Sequence, residues 1–132
     1  MSQVIDEEDL FNAIICYEDE SVLVAAEVLK DSQRKHLIIV NSEVKPVGVL
    51  SSFDIVEKVI VDQKDPQEVL IQEIMNPNIV VLGFGDSHEH AISTMVELGT
   101  YSLPIVDSEG VLKGMVCLDV LLYKEGLIKE ED

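Results

Sequence analysis

An internal repeat is the feature that most constrains how this chain folds. Moving the sequence against itself by 66 positions aligns its two halves over about forty residues without a gap. The matched pairs include Ser21 with Ser87, Ala25 with Ala91, Leu37 with Leu103, Ile39 with Ile105, and Gly48 with Gly114. Identity is modest, but the apolar positions and the turns follow one pattern. The repeat therefore predicts a duplicated structural unit.

Each half predicts the same order of strand, helix, strand, turn, strand and helix. In the first half the segments are 13–17, a helix capped by Ser21, 36–40, 44–50 and 52–61. In the second half they are 79–82, 87–98, 103–106, 111–116 and 118–125, and a polar break (62–66) and short helix (67–75) join the halves. A unit of about 60 residues buries too little surface alone. We therefore predict an α+β fold, an α/β sandwich-like arrangement of two packed units.

Charge and composition restrict the class of partner. The chain has 26 acidic and 9 basic side chains, for a formal net charge of −17. Such a surface repels a phosphate polyanion, which argues against nucleic acid as a partner. The 47% of apolar residues can form a core, but no run approaches the roughly 18 residues of a membrane span. The only segments whose composition indicates disorder are the acidic ends, 6–9 and 129–132.

Cysteine usage and the N-terminus indicate a cellular compartment. Cys16 and Cys117 lie far apart, which argues against a disulfide framework. The N-terminal residues are acidic where a secretory signal requires basic residues and an apolar stretch. We therefore expect a cytoplasmic protein.

Three segments carry a family resemblance. RKHLIIVNSEVKPVGVLSSFDIVEKVI and TYSLPIVDSEGVLKGMVCLDVLLYKE both resemble the core of a CBS repeat, the cystathionine β-synthase type, and EIMNPNIVVL resembles its Met-Pro entry. The resemblance implies a single CBS pair over 1–132 with repeats at 10–62 and 76–126, a linker at 63–75 and a pseudo-twofold axis relating the repeats. It also implies a ligand sensor without catalytic activity.

The resemblance implies a class of ligand and a mode of assembly. CBS pairs commonly bind AMP, ADP, ATP or S-adenosylmethionine in clefts between the repeats, and they dimerise through helices that here span 52–61 and 118–125. The apolar stripe Ile55, Val56, Val59 and Ile60 is longer than one small core needs, which favours a homodimer. No nucleophile–base pair, P-loop or zinc spacing indicates an enzyme. The alternative is a structural or protein-interaction module without a small-molecule ligand.

The family's ribose and phosphate signature, S/T-x-x-D, falls on the end of the first hairpin. Ser51, Ser52 and Asp54 match it. A carboxylate at a helix start can accept hydrogen bonds from ribose hydroxyls, and a hydroxyl beside free N–H groups can contact a phosphate. The same residues can equally serve as a helix cap. In the second repeat Cys117 replaces the hydroxyl and Asp119 is one residue out of register, so we expect the Asp54 site to be the better one.

By the same resemblance, base contacts fall just before the middle strand of each half, with ordinary core packing as the other interpretation. These residues are Lys35, His36, Leu37 and Ile38, with Tyr101, Ser102, Leu103 and Pro104 in the second half, and Ile14, Ile15 and Cys16 as cleft walls. Arg34, the only arginine, completes a cationic cluster with Lys35 and His36. This cluster is either the phosphate end of the cleft or a solvated patch. So few cations favour AMP or S-adenosylmethionine over a triphosphate.

Two histidines near the second helix start raise the possibility of a metal site. His88 and His90 are flanked by Asp86 and Glu89. However, side chains two residues apart on a helix diverge by about 200°, so both imidazoles cannot ligate one ion. Ser87 or Asp86 can instead cap this helix, with Glu89 completing a capping box. We therefore predict no metal and no cofactor.

Overall fold

In the computed structural model of the protein, residues 3–129 are described. The backbone contacts divide the chain into two compact units. The central unit comprises Ala13–Ile79, and the terminal unit joins the N-terminal residues up to Asn12 to the residues from Val80 onward.

The central unit contains one three-stranded sheet, in the order β1-β2-β3. β1 pairs parallel to β2, and β2 pairs antiparallel to β3. The elements are β1 (Ile15–Tyr17), α1 (Val22–Ser32), β2 (His36–Val40), β3 (Pro46–Ser51), α2 (Ser52–Ile55), a π-helical turn (Val56–Ile60) and α3 (Ile71–Ile74).

The terminal unit repeats this arrangement with a second sheet in the order β4-β5-β6. β4 is again parallel and β6 antiparallel to the middle strand. The elements are a 3-10 turn (Glu7–Asp9), β4 (Leu82–Gly83), α4 (His88–Leu98), β5 (Ser102–Val106), β6 (Leu112–Cys117) and α5 (Leu118–Lys124).

The duplication predicted from the sequence is confirmed element by element. The first long helix, the middle strand and the third strand begin and end 66 residues apart in the two units. Ser21 and Ser87 cap the two long helices: the Ser21 side chain accepts a hydrogen bond from the Val24 N–H, and the Ser87 side chain accepts one from the His90 N–H. Gln33 and Gly99 end those helices in the left-handed conformation, with φ of 56° and 68°.

Each unit has its own apolar core between its helices and one face of its sheet. The central core includes Val22, Ala25, Leu29, Leu37, Ile39, Leu50, Val59 and Ile71. The terminal core includes Ile5, Leu82, Ala91, Met95, Leu103, Ile105, Val116 and Leu121. The apolar positions at helical and strand spacing therefore lie where their periodicity predicts.

An additional extended segment runs along each hairpin at matching glycines. Val49 and Asn76 exchange two backbone hydrogen bonds of 2.9 Å in the central unit, and Phe11 and Met115 do so in the terminal unit. A Cβ atom on Gly48 would lie 2.8 Å from the Asn76 carbonyl oxygen. On Gly114 it would lie 2.9 Å from the Phe11 carbonyl oxygen. Glycine is required at both positions because the carbonyl groups of Asn76 and Phe11 approach its Cα too closely to leave room for a side chain.

The predicted helix at 67–75 is wrong over most of its length, since only Ile71–Ile74 is helical. The carbonyl oxygens of Pro66 and Val69 accept hydrogen bonds from the first N–H groups of α1, at 3.0 and 2.9 Å. This segment therefore packs against the start of α1 and satisfies its free donors.

Every strand but β2 differs from prediction at one boundary or both, and β4 and β3 show why. β4 occupies Leu82–Gly83 rather than 79–82, because pairing with β5 places Leu82 opposite Ile105. β3 begins at Pro46 rather than at Val44, because Val44 lies in the turn with φ of 60°. Gly110 has the equivalent left-handed place in the terminal unit, with φ of 83°.

One further prediction needs correction. The acidic segment Asp6–Asp9 is ordered: Asp6 and Asp9 form a capping box and Asp9 is buried. Residues 130–132 lie outside the described residues.

The apolar stripe of the second helix is divided between the core and the surface. Ile55 and Val59 belong to the central core. Val56 and Ile60 are exposed.

Candidate functional site

The best candidate site lies at one end of the central hairpin, where β2 starts and β3 ends. Antiparallel pairing places His36 opposite Ser51. The Ser52 N–H donates to the Lys35 carbonyl oxygen at 2.9 Å, which fixes the start of α2 against the start of β2. The hairpin therefore brings together Lys35, His36, Ser51, Ser52 and, one turn along, Asp54.

Ser51 and Asp54 form a reciprocal capping box. The Ser51 N–H donates to Asp54 Oδ2 at 2.9 Å, and the Asp54 N–H donates to Ser51 Oγ at 3.0 Å. The capping interpretation of the signature is therefore confirmed. Burial tends to raise the pKa of Asp54, but bonds from Ser51 and the charge of Lys58 hold that pKa below its ordinary value of 3.8. The result is an ionised, fixed carboxylate that retains free acceptor capacity.

Lys58 is a site residue that the sequence reasoning missed. Its ammonium lies 3.4 Å from Asp54 Oδ1 and donates to the Ile74 carbonyl oxygen at 2.9 Å. The side chain of Lys58 is 40% exposed and that of Asp54 is 18% exposed. The i,i+4 spacing of a carboxylate and a lysine on one predicted helix was the available signal.

The other predicted residues of the central unit fall into two groups. Arg34, Lys35 and His36 are exposed, so the cationic cluster faces solvent beside Ser51. Cys16, Leu37 and Ile38 are buried, Cys16 and Leu37 within the central core, and Ile15 is half-buried opposite Ile38. The core interpretation of Leu37 is thus confirmed.

The equivalent edge of the terminal unit has different chemistry. Cys117 stands at the cap position of α5 without capping it, and its thiol donates to Asp119 Oδ1 at 2.7 Å. Asp119 is one position earlier on α5 than Asp54 is on α2, so the register shift inferred from the sequence is present. Tyr101 is 77% exposed, while Leu103 and Pro104 are buried.

A buried polar cluster in the terminal unit was not predicted. His88 is fully buried; its Nε2 lies 2.8 Å from Asp9 Oδ2 and its Nδ1 lies 3.2 Å from Glu125 Oε2. The Lys124 ammonium also donates to Asp9. Ser87 caps α4 as predicted, by accepting from the His90 N–H. Asp9 and His88 are 79 positions apart, so no local pattern could have linked them.

A surface depression of about 240 Å³ lies elsewhere in the terminal unit. It is lined by Glu7, Leu10, Phe11, Asn12, Phe84 and Lys113. None of the residues predicted to contact a ligand belongs to it. Within residues 3–129, no cluster of three or more histidine, cysteine or acidic side chains is arranged to hold a metal ion.

The family is established by comparison with known proteins. The family model described as CBS domain matches residues 4–61 and 71–124. The chain belongs to the CBS domain family and carries two copies of the domain.

Curated relatives are longer than this chain. An uncharacterized protein of Methanopyrus kandleri is 34% identical over 89 residues, which cover 67% of this chain and 45% of that protein. A homoserine O-acetyltransferase of Methanococcus vannielii is 28% identical over 100 residues, which cover 76% of this chain and 20% of the enzyme. The chain thus spans less than half the length of either relative.

Solved structures with the same fold include ligand complexes. A CBS domain pair in complex with 5′-methylthioadenosine and S-adenosyl-L-methionine has a TM-score of 0.72 and 24% identity, covering 96% of this chain and 98% of that one. The cytosolic domain of the Mg2+ channel MgtE in complex with ATP has a TM-score of 0.68 and 26% identity, covering 83% and 44%. Among residues 3–129, no helix combines the length and apolar character needed to cross a bilayer.

Proposed function

We propose that this chain is a non-catalytic regulatory module that senses an adenine-containing ligand. The ligand class is AMP, ADP, ATP or S-adenosylmethionine, and its ribose binds at the Asp54 edge of the central unit. Two solved proteins of this fold hold ligands of that class. The unpaired Cys16 and Cys117 fit a reducing cytoplasm.

The observation that carries the proposal is the fixed carboxylate of Asp54. Asp54 is held by the Ser51 N–H and is charged at neutral pH, so its remaining lone pairs can accept two ribose hydroxyls. The exposed Arg34 and Lys35, which directly precede β2 at the end of the hairpin where Ser51 lies, supply positive charge for a phosphate in a chain of net charge −17. A few local cations outweigh a distant field, because screening acts over about 8 Å at physiological salt.

Calorimetric titration of the full chain with AMP, ATP and S-adenosylmethionine tests the proposal. Asp54→Asn keeps an oxygen to accept from Ser51 but loses the charge, and we expect affinity to fall at least about tenfold. Asp119→Asn is the matched control and should change affinity less than about twofold. The absence of heat at millimolar concentrations of all three ligands would instead favour a structural or protein-interaction module.

We also propose that the chain forms a homodimer through the helices at 52–61 and 118–125. Each helix exposes apolar side chains: Phe53, Val56 and Ile60 in the central unit, and Val120 and Tyr123 in the terminal unit, are 42–66% exposed. Light scattering at tens of micromolar should give twice the chain mass, and Ile60→Lys should give the monomer. A monomeric wild type would contradict the assembly.

A further inference from the structure

Lys58 is placed to respond to the charge of whatever the Asp54 carboxylate binds. Its ammonium lies 3.4 Å from Asp54 Oδ1, and 40% of its side chain remains exposed. It is the cation that residues 3–129 bring within ion-pair distance of that carboxylate. A ligand group that approaches Asp54 therefore also approaches a fixed positive charge.

The local backbone holds Lys58 in that position. The helix that carries Asp54 widens into a π-helical turn at Val56–Ile60, where the Val61 N–H donates to the Val56 carbonyl oxygen at 2.9 Å. Such turns are rare and often lie at functional sites. The ammonium of Lys58 is also anchored by its 2.9 Å hydrogen bond to the Ile74 carbonyl oxygen at the end of α3. An anchored ammonium has little freedom to swing away when a cationic ligand binds.

We propose that Lys58 is a specificity-determining residue that makes the Asp54 site favour adenine ligands with a negative 5′ substituent over those with a positive one. This inference rests on the proposed function and adds its selectivity. A ribose whose 2′ and 3′ hydroxyls contact Asp54 places its 5′ substituent within about a Debye length, roughly 8 Å, of the ammonium. At that separation, in a medium between water and protein surface, one unit charge changes an equilibrium constant about fivefold. The phosphate of AMP is attracted, whereas the sulfonium of S-adenosylmethionine is repelled.

Lys58→Met tests the inference because it removes the charge and keeps the apolar stem. We expect AMP to bind about fivefold to tenfold more weakly, adenosine to change less than about twofold, and S-adenosylmethionine to bind about twofold to fivefold more tightly. Lys58→Arg should restore the wild-type order of affinities. Opposite responses of two ligands cannot arise from a general loss of structure, which would weaken all three.

Lys64→Met is the matched control, since it changes the net charge by the same amount from an exposed turn of the same unit. It should leave all three affinities within about twofold. The selectivity would be overturned, with the proposed function left intact, if Lys58→Met weakened the binding of AMP and of S-adenosylmethionine equally. It would also be overturned if Lys64→Met weakened AMP binding and tightened S-adenosylmethionine binding as much as Lys58→Met does. Failure of the wild type to bind any of the three would overturn both.

Discussion

Replacing Asp9 by asparagine removes the central charge of the buried cluster in the terminal unit. The side chain of Asp9 is 3% exposed and that of His88 is 1% exposed, and both His88 and the Lys124 ammonium contact the Asp9 carboxylate. Breaking a buried ion pair from one side costs about 3–5 kcal/mol, and here Lys124, whose side chain is 28% exposed, keeps its charge without the carboxylate that balanced it. With a urea m-value of about 2 kcal/mol/M, the unfolding midpoint should fall by about 1.5–2.5 M.

The pH dependence of the stability difference between wild type and Asp9→Asn gives a second, independent measurement. Burial tends to raise the pKa of Asp9, but hydrogen bonds from Lys124, Asp6 and His88 hold that pKa below its ordinary value of 3.8. Asp9 is thus more acidic in the folded than in the unfolded chain. Its stabilisation is complete above about pH 4 and is lost as the pH falls through the folded-state pKa.

Urea unfolding followed by circular dichroism at a series of pH values measures both effects. The difference in free energy of unfolding between wild type and Asp9→Asn should be largest at neutral pH and should become smaller as the pH falls below about 4. Glu8→Gln, an exposed acid in the same 3-10 turn, is the control and should change stability by less than about 0.5 kcal/mol. A gap below about 1 kcal/mol at pH 7, or one that stays constant down to pH 3, would refute the reasoning.

Two further predictions concern buried positions of the central unit. Gly48→Ala should lower the free energy of unfolding by about 1–3 kcal/mol, because the added carbon would lie 2.7 Å from Met75 Sδ and 2.8 Å from the Asn76 carbonyl oxygen. Thermal unfolding measures this loss. In the control Gly83→Ala the nearest contact of the added carbon is at 3.6 Å, so the loss of stability should be less than half as large. Burial, with a smaller contribution from Glu20, raises the pKa of Cys16 to about 11, so alkylation at pH 8 should modify this thiol only in urea; rapid modification in the native protein would contradict its burial.

The duplication made most of the fold predictable from the sequence. Apolar spacing and two serine caps located both long helices, and the turn residues located both hairpins. The helix predicted at 67–75 failed because its carbonyl groups satisfy the first donors of α1, which is a tertiary effect. Likewise, β4 is set by its pairing with β5 rather than by the apolar run at 79–82.

The candidate site was predictable only where its residues are close in sequence. Ser51 and Asp54 are three residues apart and follow a strand, so their contact could be inferred. Lys58 could have been found from its helical spacing to Asp54. The association of Asp9 with His88 depends on how distant segments pack, and no periodicity encodes that.

The terminal unit is built from both ends of the chain, and this has a consequence during synthesis. Ile5 and Phe11 leave the ribosome well before their hydrogen-bonding partners Asp86 and Met115, which are translated many residues later. The central unit is contiguous, so all of its strands and helices have been translated while residues 3–12 still wait for their partners. Translation order therefore supplies all the contacts of the central unit before those of the terminal unit, and Ile5, which is buried in the folded protein, stays accessible to chaperones until α5 has emerged.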